Sequence, residues 1–270
     1  AGGMNGGIDL VIHRATDRLC IEKHSTQKDV VTGYARNEIE CLRQVGHHPH
    51  INTLVDCWID YEEQKASIYL EYCVYGSLAK RIRRHIKGNR RFNEVIIWNW
   101  WYQLTDALSY CHHGPDPENQ TDWNWILHLD IKPDNIFLFS EEGENRTTRE
   151  AIVQLGDFGL AITKETTDRG IVSPEKGPLG HTPGWMAPEY YRPKGQPKYS
   201  AKSDIWTLAA VIVCVCRLTE RLDPHFNRNN PAGSQYSPEL NQILSQCLAH
   251  NPNERPDSFR LRDMLHREYV

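Results

Sequence analysis

The chain has 270 residues, 39% apolar and 24% charged, the composition of an ordinary globular protein long enough for one large domain or two lobes sharing a cleft; nothing in it suggests disorder. A net charge of -4 gives no overall basic field, which sets aside nucleic acid and an anionic membrane as the main partner. Eight cysteines without a C-x-x-C pair suit a reducing, intracellular compartment, cytoplasm or nucleus, and the longest apolar run, Ile205 to Cys216, is short of the roughly twenty residues a bilayer crossing needs.

In chain order, a glycine-rich opening, "AGGMNGG", leads into "IDLVIHR", a turn signal at Thr16 and Asp17, and "RLCIEKH", two strands. Alternation in the second puts Leu19, Ile21 and Lys23 on one face and Arg18, Cys20, Glu22 and His24 on the other, so one inward apolar face ends in a lysine. "DVVTGYARNEIECLRQV" reads as one helix, and "INTLVDCWID" and "SIYLEYC" as strands on either side of the turn "YEEQKA". The basic run "KRIRRHIKGNRR", Lys80 to Arg91, reads as a solvated helix face and turn. Ile97, Trp101, Leu104, Leu108 and Cys111 then repeat at helical spacing, which makes the surrounding tryptophans core residues. Ser237 and Pro238 form an N-cap and first-turn pair for a helix carrying Leu240, Ile243, Leu244 and Cys247. A strand-rich segment up to about residue 73 thus precedes a larger helical one, with a cleft between them as the natural site.

The chemistry concentrates in "HLDIKPDNIF", His128 to Phe137, and in "LGDFGLA" beyond a hairpin. Asp130 can accept a hydroxyl proton and Lys132 can meet developing phosphate charge. Asn135 and Asp157 offer hard oxygen ligands to Mg²⁺, and together these are the parts phosphoryl transfer requires.

With "HLDIKPDN", "DFG" and "APE" (Ala187 to Glu189) in order, the sequence resembles the eukaryotic protein kinases over nearly its whole length. The resemblance implies an α+β, bilobal fold: a small β-rich N-lobe and hinge over 1–73, lacking the family's strand ahead of the glycine loop, and a larger, mainly helical C-lobe over 74–270. It implies ATP and Mg²⁺ as cofactors and a protein as substrate. Asp130, Lys132 and Asn135 fall on the catalytic positions, and Asn135 and Asp157 on the metal-binding ones.

Ala1, Gly3, Gly6 and Ile8 fall on the glycine-loop pattern G-x-G-x-x-G-x-V, with Ala replacing the first glycine. Lys23, fifteen residues after Ile8, takes the place of the lysine that contacts the α- and β-phosphates, with Glu22 as the rival. Choosing Glu22 would turn Leu19 and Ile21 outward. Ile21 then lines the adenine pocket, Leu70 is the gatekeeper, Glu71 to Cys73 the hinge, and Phe137 lies under the adenine. Glu38 is the ion-pair partner of Lys23, with Glu40 the alternative. Leu42, Leu54, His128 and Phe158 would stack as an apolar spine. Asp204 would hold the catalytic loop by its backbone and Arg255 would pair with Glu189. Thr182 would bond Asp130 and Lys132, which points to Ser/Thr rather than Tyr substrates.

The sequence departs from the family at two places. Leu129 replaces the arginine that pairs with an activation-segment phosphate, so phosphorylation of Thr163, Thr166, Thr167 or Ser173 loses its main acceptor. Between Asp204 and Arg255 the chain is short, leaving little room for a helix on a surface that many kinases use for regulatory protein partners. Two hypotheses follow: an active ATP- and Mg²⁺-dependent Ser/Thr kinase, or a pseudokinase serving as a binding module. "YCHHGPDPENQ", "DNIFL" and "LGDFGLA" are similar to NIMA-related kinases, while "CW" after the third strand is similar to other cell-cycle groups.

Overall fold

The computed structural model describes residues 6–116, 122–139, 152–171, 182–193, 195–196 and 198–269. Ala1, Gly3 and Ser173, named above, lie outside the described residues. The N-terminal part is a four-stranded antiparallel sheet in the order β1-β2-β4-β3, formed by β1 (Gly7–His13), β2 (Arg18–His24), β3 (Leu54–Asp60) and β4 (Lys65–Glu71). The rest is mainly helical: α3 (Leu78–Lys87), α4 (Glu94–His113), α6 (Ala201–Arg217), α7 (Pro238–Cys247) and α8 (Ser258–Tyr269). Short strands β5 (Ile126–Leu127), β6 (Ile136–Phe139), β7 (Ile152–Leu155) and β8 (Ile162–Thr163) and a short helix α5 (Lys164–Asp168) line the seam with the sheet. This is the expected α+β, two-part arrangement.

Between β2 and β3 the single expected helix is two, α1 (Gln27–Val31) and α2 (Tyr34–Val45). Thr26 caps the first in a reciprocal pair with Asp29, and Gly33, at φ 83°, breaks the run. A β-branched Thr32 followed by glycine is a weak place for a helix, and the left-handed conformation there suits only glycine at low cost.

β2 does not alternate as cleanly as expected. Leu19 is 47% exposed, while Cys20, on the opposite face, is 2% exposed. Register places Ile8, Leu10 and Ile12 opposite Lys23, Ile21 and Leu19, so these six share one face of the sheet, and its far end is open. Burial here follows what covers each end of the strand, which a period of two cannot report.

In the helical part the apolar stripe of α4 is fully buried, and Trp98, Trp100 and Trp101 are core residues. The run Ile205 to Cys216 is the interior of α6, and Ser237 caps α7 by accepting from Leu240 N–H. Residues 218–236 run through turns without a helix, as their short span implied. Arg255, fully buried, grips Glu189 with two nitrogens, both at 2.8 Å, and Ser203 adds a third hydrogen bond at 2.7 Å. Burial works to raise the Glu189 pKa, but hydrogen bonds from Arg255 and Ser203 and the guanidinium charge outweigh it and hold the carboxyl below its ordinary range.

Removing one member of such a buried pair strands the other, so Arg255→Ala is expected to cost about 3–5 kcal/mol at neutral pH in thermal or urea unfolding. Because the folded-state pKa of Glu189 is lowered, the pair's contribution is present above the unfolded carboxyl value of about 4.3 and is lost as pH falls through the folded value. The gap between wild type and Glu189→Gln should therefore close in acid; a gap that persists unchanged there would contradict this assignment.

Candidate active site

Lys23 ends β2 on the sheet's inner face, directly opposite Ile8. Its ammonium lies 2.6 Å from Glu38 Oε1 and 2.7 Å from Asp157 Oδ1. Glu22, the rival, points elsewhere and accepts from Tyr69 Oη at 2.9 Å. Glu40 is exposed and paired with Arg36, leaving Glu38 as the partner. Burial disfavours the lysine's charge, but the two carboxylates outweigh it and raise its pKa. Burial likewise pushes against ionisation of Asp157; the Lys23 charge and hydrogen bond, then His128 and the Gly159 N–H, pull it below the ordinary range. Burial and the negative charge of Asp157 push Glu38 upward against the pull of Lys23.

The catalytic-loop residues converge on one carboxylate. Asp130 Oδ1 accepts from Thr182 Oγ1 at 2.8 Å, while Oδ2 accepts from Lys132 Nζ at 2.6 Å and Asn135 Nδ2 at 2.9 Å. Lys132 also donates to Thr182 Oγ1 at 2.7 Å. The loop is held from behind by Asp204, fully buried, whose two oxygens accept the His128 and Leu129 N–H groups, each at 2.9 Å. This anchoring supports Leu129 at φ 60°, a left-handed conformation unusual for leucine. Of the expected spine, the His128 and Phe158 rings meet, their centroids 4.8 Å apart, and both side chains are buried, as is Leu42.

The remaining predicted positions lie as follows. Leu70 pairs with Ile21 across β2–β4 and with Leu54 across β3–β4, so the three share the inner face. Glu71 ends β4, its N–H given to Thr53 O at 3.0 Å and its carbonyl accepting Asn52 Nδ2 at 3.2 Å. Cys73 O accepts from Gly76 N–H at 2.9 Å. Each carbonyl keeps a second lone pair. Gly6 donates its N–H to His24 O at 2.9 Å and is spent in sheet pairing, whereas Ile8 is exposed on the open face. Phe137 sits in β6 with its ring against Gly156: a Cβ added there would lie 2.7 Å from Phe137 Cε2.

Several contributors escaped the sequence reading. His112, one helical turn beyond Leu108 on the buried stripe of α4, donates from Nε2 to Asp204 Oδ2 and accepts from Ser258 Oγ at Nδ1, both at 3.0 Å. Its i+4 spacing from Leu108 was the available signal. Asn52 and Gln154, both buried, bond each other at 3.1 Å behind the hinge, where the Cys73 thiol reaches Gln154 Oε1 at 3.4 Å. Burial, then the charge of Glu71, pushes that thiol up to about 12. Thr163, grouped with the phosphorylatable residues, is buried and caps α5 by accepting from Thr166 N–H. Its hydroxyl is enclosed rather than presented.

A β-rich unit joined to a helical one, with a lysine–carboxylate cluster and a bonded Asp-Lys-Asn loop at the seam, defines the class of protein kinase-like folds. The sequence matches the protein kinase domain over residues 2–270, and the chain belongs to that family. It is 33% identical to the G2-specific protein kinase fin1 of Schizosaccharomyces pombe over 84% of this chain and 32% of that protein. With the G2-specific protein kinase nim-1 of Neurospora crassa the identity is 33% over 74% of this chain and 24% of the relative. With the serine/threonine-protein kinase Nek2 of Homo sapiens it is 32% over 82% and 46%. The chain thus spans between a quarter and a half of the length of these relatives.

The Phe137–Gly156 contact is directly testable. Gly156→Ala is expected to weaken nucleotide binding and lower stability by about 1–3 kcal/mol through overpacking. Adding Phe137→Leu should recover most of that loss, and additive effects in the double variant would contradict the contact.

Proposed function

We propose that the chain is an active protein kinase, transferring the γ-phosphate of ATP, with Mg²⁺, to Ser or Thr hydroxyls of protein substrates. The observation that carries this reading is the Asp130 carboxylate, held on both oxygens by Thr182, Lys132 and Asn135. A carboxylate so oriented can accept or steer the substrate hydroxyl proton, and Lys132 beside it can meet charge building on the transferred group. Lys23, with its charge favoured by Glu38 and Asp157, is suited to the α- and β-phosphates. The proposed roof and floor of the adenine site are Ile21 with Leu70 and Phe137, with the backbone of Glu71 and Cys73 along the hinge and Gly3, Gly6 and Ile8 on the glycine loop.

The metal fits the donors present. Asn135 spends its Nδ2 on Asp130 O and Oδ2, which fixes its amide so that Oδ1 would serve as a hard ligand, and Asp157 would supply a carboxylate oxygen. Mg²⁺ needs only one or two protein oxygens, because it completes its shell with water and phosphate. When bound, Mg²⁺ supplies charge neutralisation on the phosphate oxygens.

Leu129 packs with Leu127, Ile162 and Tyr199 in a small apolar cluster, so this position offers a phosphate on the activation segment no cation of its own. Thr163 is buried as a cap, so the reading extends to activity with little dependence on phosphorylation in this segment. The relatives' names, G2-specific and serine/threonine-protein kinase, support Ser/Thr specificity and a place in cell-cycle control. We assign residues 1–73 to an N-lobe with hinge and 74–270 to a C-lobe, and place the protein inside the cell, in cytoplasm or nucleus, with a regulatory protein partner. No described helix is long and apolar enough to cross a membrane.

Radiolabelled phosphate transfer to a generic Ser/Thr substrate, run beside Asp130→Asn, tests the proposal. Wild type should exceed the variant by about 10²–10⁴-fold, with MgATP raising the melting temperature of both. No signal above the variant together with no thermal shift would sink the enzyme and leave a binding module.

A further inference from the structure

Seven of the chain's 31 Lys and Arg fall between Lys80 and Arg91, a stretch without a single acid. Along α3, Lys80, Arg83, Arg84 and Lys87 follow i, i+3, i+4, i+7 spacing on one exposed face, while Leu78, Ala79 and Ile82 are buried on the other. Among the described residues, Lys80, Arg84, Lys87, Arg90 and Arg91 have no carboxylate within 4.0 Å. Such a stripe costs the helix stability. Like charges stand one turn apart, and Lys80 and Arg81 occupy the first turn, where the helix dipole disfavours cations and no acid compensates. Beneath the stripe, Arg81 Nε is buried with no acceptor among the described residues. Burial, then the charges of Arg84 and Arg90, hold its pKa below the ordinary guanidinium value. The arrangement is electrostatically incomplete.

The one paired cation of the stripe shows where it faces. Arg83 Nη2 lies 3.5 Å from Asp134 Oδ1, and its Nε lies 3.1 Å from Glu220 Oε2. Asp134 is in the same loop as Asp130, four residues on, and its side chain is exposed. Asp134, four residues from Asp130, is thus paired with α3, beside a row of cations with no carboxylate partner among the described residues.

We infer that the exposed face of α3 and its following turn, carried by Lys80, Arg84, Lys87 and Arg90, is a docking surface for an acidic segment of the protein substrate, flanking the Ser or Thr that is presented to Asp130. This rests on the proposed kinase activity for its role in the reaction, and on charge complementarity alone for the binding. Exposed charges of this kind are screened by salt, so the preference is a low-salt effect expressed in KM rather than kcat.

The test uses two peptide sets with one Ser-containing core, flanked on either side by Glu or by Gln. A copy of each with Ala in place of Ser measures binding by fluorescence anisotropy without ATP. The acidic peptides should bind wild type about tenfold or more tightly than the Gln peptides, a difference equivalent to about 1.4 kcal/mol. The advantage should vanish in about 0.5 M NaCl, and in the Lys80→Glu/Arg84→Glu/Lys87→Glu variant, provided its melting temperature and its rate on the Gln peptides match wild type. Equal binding of both sets, or an advantage that survives the triple substitution, overturns the inference. So does a labelled DNA duplex that binds the same face more tightly than the acidic peptides, which would make the surface a nucleic-acid one. Tight, variant-sensitive binding of the acidic peptides without phosphate transfer would instead sustain the surface and refute the kinase reading.

Discussion

A buried ammonium must be accompanied by negative charge, and Lys23 meets this need with carboxylates from two distant parts of the chain. Glu38 arrives from α2, within the sheet-rich part, and Asp157 from the turn after β7, within the helical part. The three groups therefore register α2 against β2 and both against the seam. If α2 slid by a residue, Glu38 would leave the lysine half-paired in a desolvated place, so the position of the helix and the geometry of the site are one problem. The same cluster also concentrates oxygen donors and a cation where phosphates would lie.

Asp204 plays the corresponding part inside the helical unit. Its oxygens take two successive backbone N–H groups of the loop, and His112, hydrogen-bonded in turn to Ser258, adds a third bond on Oδ2. A loop held this way can keep Leu129 at positive φ, and can then present Asp130 and Asn135 without either having to search for its conformation. Rigidity sits under the chemistry, whereas the open face of β1 and β2 lies above it.

The sequence carried much of this picture. Strand alternation and the family resemblance together pointed to Lys23, and the helical stripe of α4 and the cap of α7 needed only local periodicity. What escaped it depended on how each segment is covered, turned or capped. Cys20 and Leu19 exchanged their expected burial because coverage of a sheet face depends on neighbours elsewhere in the chain. The stretch read as one helix is split at Gly33, which takes the left-handed conformation. Asn52 and Gln154 lie 102 positions apart, and no local pattern announces that one will satisfy the other behind the hinge. Thr163 read as a free hydroxyl because capping depends on the helix that begins at the next residue.

The account turns on Lys23, Asp157 and Asn135 forming one receptor for a metal–phosphate group. Calorimetric titration of ATP, with and without Mg²⁺, into wild type and Asp157→Asn tests it most directly. Binding to wild type should tighten markedly when Mg²⁺ is present, and the substitution should erase most of that gain. Equal affinity with and without Mg²⁺ in wild type, or a gain that survives Asp157→Asn, would contradict the account.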